Sequence, residues 1–145
     1  MPRLSCWFIR FALIHLVLGF TLGALMLAQK AGALGTAVWA FRVAHQEFLL
    51  AGFMLQLVFG VGFWILPRPV HPQHDWPMVA ALILINAGVW LAAAGGTVPA
   101  WGGVAILGRL SEVGAVGLFA STIWPRVRPF QHARGRVRPF QHARG

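Results

Sequence analysis

The run from Val38 to Leu66 is almost unbroken in its apolar character and is closed by Pro67-Arg68-Pro69. As a helix it would be about 43 Å long at ~1.5 Å rise per residue, longer than the ~30 Å hydrocarbon core of a bilayer. In water such a rod would expose apolar side chains on every side. The run is therefore expected to cross a membrane, either tilted or with its first turns among the headgroups. Three further runs share this character: Phe8–Ala28, Met78–Ala94 and Gly102–Trp124. They end at Gln29-Lys30, Gly95-Gly96 and Pro125 respectively. Short connections make successive helices antiparallel neighbours. With 58% hydrophobic and only 10% charged residues, the chain lacks the polar surface that a soluble domain needs. The expected fold is all-α, an integral membrane four-helix bundle over residues 1–125.

The formal net charge of +9 does not point to nucleic acid. Arg126, Arg128, Arg134, Arg136, Arg138 and Arg144 all lie in the C-terminal tail. That tail, 126–145, is a ten-residue tandem repeat: Arg126–Gly135 recurs letter for letter as Arg136–Gly145. Two copies are too few for a repeat architecture, and a mobile segment lying against anionic lipid is expected. Arg3, Arg10, Arg68 and the tail mark one side of the membrane, whereas the segment from Gly95 to Gly103 carries no charge. The positive-inside rule then puts both termini in the cytoplasm of a multi-pass protein of the cell's inner (plasma) membrane. Trp39, Trp76, Trp101 and Trp124 fall at expected helix ends, where amphipathic rings favour the interface. The run from Phe11 to Ala28 is too long for a signal-peptide core and reads as an uncleaved span. The single Cys6 excludes an intrachain disulfide.

Ionisable groups inside the spans are the functional candidates, because lipid makes them costly. On the second helix Arg42, His45, Leu49, Gly52, Gln56, Phe59 and Phe63 share a stripe at spacings of three and four. His45 can serve as an axial ligand to heme iron. Gly52 would leave room below it for a flat macrocycle, and Arg42, one turn outward, could meet a propionate. Glu47 lies ~200° around the helix from His45 at ~100° per residue and needs another partner. Arg109, three residues from Glu112, is expected at a depth of ~10 Å, like His45. It could meet Glu47 or a bound propionate. His15, ~10 Å deeper than His45, is a weaker ligand candidate and reads first as a histidine bonded to a neighbouring helix. It shares a stripe with Gly19 and Gly23, a small-xxx-small pair that favours close helix contact. Asn86 reads as a bridge between helices. His71, His74 and Asp75 form an incomplete metal set and read as an interfacial loop.

The segment Ala44-His45-Gln-Glu-Phe-Leu-Leu-Ala-Gly52-Phe, followed by Gln56-Leu-Val-Phe-Gly60-Val-Gly-Phe-Trp64-Ile-Leu-Pro67-Arg68, resembles the second helix of heme–copper oxidase subunit I and of the nitric oxide reductase large subunit. It is more similar still to small four-helix membrane proteins related to that superfamily. Leu16-Val-Leu-Gly19 and Leu22-Gly23-Ala-Leu-Met26 are similar to the helix that precedes it. The resemblance covers residues 8–68. It implies that His45 ligates a low-spin heme near the outer face. The superfamily's other metal ligands lie on later helices that this chain lacks, so a complete oxidase or reductase is not expected.

Together these readings give a membrane b-type heme-binding protein, with electron transfer, gas sensing or heme handling as its role. Its partners are the lipid bilayer and a second copy or a larger membrane complex. The second ligand would come from another copy of His45 or from a methionine such as Met54 or Met26. The competing class is a cofactor-free accessory subunit or assembly factor of a membrane complex.

Overall fold

A computed structural model describes residues 2–32, 36–66 and 74–127. Among these residues the chain is helical with no strand. Four helices are long and apolar enough to cross a membrane. We label them α1 (Arg3–Lys30), α2 (Ala37–Ile65), α3 (Trp76–Thr97) and α4 (Gly102–Ile123). The expected four-helix bundle is therefore the observed fold; α1 and α3 extend a few residues beyond their apolar runs, and α2 and α4 match theirs to within a residue. The tail repeat from Arg128 onward, His71 and the Pro67-Arg68-Pro69 stop lie outside the described residues.

Local chemistry sets the helix ends. α1 stops where Gly32 adopts φ +80°, a left-handed conformation in which a glycine avoids the Cβ penalty. Its N–H donates to the Gln29 carbonyl at 2.9 Å. α3 opens with Pro77 in its first turn, where the missing N–H costs nothing. Within the spans, hydroxyl and amide groups turn back on their own helices. Thr21 donates to the Val17 carbonyl, Asn86 to Leu82, Thr97 to Ala93 and Thr122 to Leu118, all at 2.7–2.8 Å. Such back-bonding satisfies a polar group where no water is present. It also corrects one expectation: Asn86 bonds within α3 and bridges no helices.

Small residues bring the backbones together. In the α3/α4 hairpin an ideal Cβ on Gly95 would lie 2.3 Å from the Ala105 nitrogen, and one on Gly108 2.4 Å from the Ala92 nitrogen. In the α1/α2 pair the corresponding contacts are between Gly19 and Leu49, and between Gly60 and Phe8. Tight van der Waals contact of this kind holds helices together where lipid removes the hydrophobic drive. The core between the pairs contains Phe8, Phe48, Phe59, Phe63, Met78, Ile85, Val89 and Ala115. Phe59 stacks on Phe119 of α4 with ring centroids 4.1 Å apart. Leu13, Val17 and Phe20 of α1 and Ile106, Leu110 and Val113 of α4 face outward, as lipid contact requires. Trp39, Trp76, Trp101 and Trp124 are all exposed at helix ends, in agreement with the interfacial reading.

α2 is not wound evenly. A 3₁₀ segment, Thr36–Phe41, leads into α-helix over Arg42–Glu47. Phe48–Leu55 is then a π-helix, and α-helix resumes over Gln56–Ile65. Widened turns of this kind are rare and concentrate at functional sites. Here the widened stretch lies immediately below His45 and Glu47.

Candidate functional site

Two polar arrangements face opposite sides of α2. Towards α1, the stripe from His45 to Phe59 forms the contact surface, as its spacing predicts. His45 is half-buried, and its Nδ1 lies 2.8 Å from the Gly19 carbonyl oxygen. A carbonyl only accepts, so Nδ1 carries the proton and donates it. Nε2 then holds the lone pair, and it has no hydrogen-bond partner among the described residues. The flat ring fits beside Gly23, where an added Cβ would come within 2.8 Å of Cε1.

His15 sits deeper and is almost fully enclosed, at 1% exposure. Its Nδ1 lies 3.2 Å from Oε1 of Gln56, itself buried. The ring stacks on Phe48 at 5.6 Å, and Trp90 of α3 closes the third side. An added Cβ on Gly52 would meet the His15 ring at 2.7 Å. Gly52 therefore makes room for His15, which corrects the expectation that it leaves clearance below His45. The glycines against the His45 ring and its carbonyl partner belong to α1 instead. His15 itself is bonded to the neighbouring helix, as its first reading expects.

On the opposite face Glu47 is buried and reaches α4. Arg109 Nη1 donates to Glu47 Oε2 at 2.8 Å, and Nη2 pairs with Oε1, giving a two-pronged ion pair. The same Nη1 lies 3.4 Å from Glu112 Oε2. Glu47, one of the partners foreseen for Arg109, is met in this way. Arg42 is exposed at the outer end of α2.

No group of three or more His, Cys, Asp or Glu side chains is placed to hold a metal ion among the described residues. His74 and Asp75 are exposed. A cavity of about 370 Å³ opens between α1, α2 and α3, lined by Leu18, Leu22, Ala44, Phe48, Trp90 and Ala93, among others. Its lining does not include His45. None of the cavities described among these residues is lined by His45, so a heme ligated there would need a wall from another subunit.

The sequence reading misses the Gly19 carbonyl as the partner of His45 and Gln56 as the partner of His15. The first is a backbone group with no side-chain signature. The second carries a signal: Gln56 is a lone amide on the same stripe as His45, and only α1 offers it a polar group there. No family model matches the chain, and no curated protein or solved structure matches it.

Proposed function

We propose that this is a multi-pass protein of the cell's inner membrane, with both termini in the cytoplasm, that binds b-type heme through His45 between two copies of the chain. The observation that carries this reading is the Nδ1–H bond from His45 to the Gly19 carbonyl. Iron-ligating histidines usually donate their other ring N–H to a carbonyl or carboxylate, which fixes the tautomer and aims the lone pair. Arg42, exposed one turn outward, is the candidate for a propionate. Gly52 and Arg109 have other duties, beside His15 and the two glutamates. Bound heme would supply a one-electron couple or a gas-binding iron, for electron transfer, gas sensing or heme handling. The chain's part is to aim the imidazole, keep water away and set the ligand field. The second axial ligand would be His45 of the other copy, because no other histidine among the described spans shares its depth.

The test is visible absorption of detergent-purified protein from heme-replete cells. A Soret band is expected, lost in His45→Ala and kept in His15→Ala. The second reading is a cofactor-free accessory subunit or assembly factor. The filled space at Gly52 and the engagement of Arg109 with both glutamates favour it. A colourless preparation would decide for that reading. Reporter fusions to either terminus test the orientation: a periplasm-active reporter on the tail would overturn it.

A further inference from the structure

Glu47, Arg109 and Glu112 form a cluster whose formal charges do not cancel. Two carboxyl groups share one guanidinium. Both glutamates are buried, at 4% and 8% exposure, and both lie against the Arg109 guanidinium. Arg109 grips both oxygens of Glu47 and leaves Glu112 with one contact at 3.4 Å. The second oxygen of Glu112, Oε1, is buried and has no hydrogen-bond partner among the described residues. Gly88 of α3 packs directly on the Glu112 side chain, so no water is admitted from that side.

Two ionised carboxylates that close would repel each other, and in hydrocarbon the uncompensated charge is expensive. Among the described residues no further cation pairs with the cluster. α3 contains no charged or titratable residue. On α2, His45 is turned to α1, and Arg42 is exposed at the helix end. α4 supplies only Arg109 and Glu112 themselves; of the titratable side chains of α1, His15 packs on the other face of α2, and Arg3, Arg10 and Lys30 are exposed.

We propose that the Glu47–Arg109–Glu112 cluster is a binding site for one exchangeable proton, shared by the two glutamates in the outer half of the span. This rests on neither the heme reading nor its alternative. The site lies on the face of α2 opposite His45, across the same helix.

The sequence suits a direct test, because it contains only three acidic side chains. The third, Asp75, is exposed outside the cluster. Infrared spectra of the full chain reconstituted in phosphatidylcholine vesicles at neutral pH, in potassium chloride, should show one protonated-carboxyl C=O band per chain. The band should shift when D₂O replaces H₂O and disappear in Glu112→Gln. The wild-type spectrum stands without the variant, so misfolding of Glu112→Gln leaves the proposal testable. A wild-type protein with no such band overturns it. A band that vanishes on replacing potassium with sodium also overturns it, because the bound charge would then be a metal cation.

Discussion

Replacing Gly108 with alanine tests the backbone contact that fixes Glu112 against α3. The new Cβ would lie 2.4 Å from the Ala92 nitrogen and 2.8 Å from the Gly88 carbonyl oxygen. Both obstacles are main chain, so no rotamer change relieves them, and α3 and α4 must move apart. Overpacking a tight contact costs about 1–3 kcal/mol. With backbone on both sides the upper part applies, about 2–3 kcal/mol. Gly117→Ala is the matched control. It lies on the same helix, and a Cβ there meets nothing within 4 Å. Helix propensity changes equally in both variants and cancels between them, and the control should equal the parent or exceed it by up to about 1 kcal/mol. Reversible unfolding by sodium dodecyl sulfate, titrated into a mild detergent and followed by tryptophan fluorescence, reads the difference. A gap of 2–3 kcal/mol is about 30- to 150-fold in the unfolding constant at ~1.4 kcal/mol per tenfold. Equal midpoints for the two variants would refute the close backbone contact, and with it the account of how Glu112 is held.

Three further outcomes follow from particular contacts. Gly23→Val should push the His45 ring off the Gly19 carbonyl and, in a heme-loaded protein, weaken heme binding by about 10- to 100-fold as read by heme titration. Gly52→Ala, which crowds His15 instead, should leave that titration unchanged. Gln56→Leu should cost about 1–3 kcal/mol in the same unfolding assay by stranding the buried His15 N–H, while His15→Leu with Gln56→Leu recovers most of it. Arg109→Ala leaves Glu47 and Glu112 facing each other without a counter-charge. It should destabilise by up to about 3 kcal/mol, less whatever solvation the half-exposed guanidinium enjoys, and adding Glu47→Gln should restore most of the loss. An Arg109→Ala protein as stable as the parent would rule out the cluster as a structural unit.

The helices are legible because lipid imposes one rule on every residue of a span. Length and the absence of charge are therefore enough to find Val38–Leu66 and its three companions. The meeting of Glu47 with Arg109 is legible for a similar reason: an acid on one helix and a base at matching depth on another have few other options. Gly52 shows where the pattern stops. A regular 3.6-residue period places it below His45 on the face that meets α1, and it lies on that face, but His15 of α1 fills the space there, which no spacing on the second helix announces. Nor does any residue type announce that Gly19 would present its carbonyl to an imidazole.

The loose winding of α2 ties the length of that segment to what its outer half can reach. Winding 48–55 as ordinary α-helix at the same length would leave the span helical. It would also swing Arg42, His45 and Glu47 together by about 100° relative to Gln56 and Phe59. The imidazole would leave its neighbour on one flank as the carboxylate left its neighbour on the other. Two contacts that share no atoms thus stand or fall by the winding of one stretch.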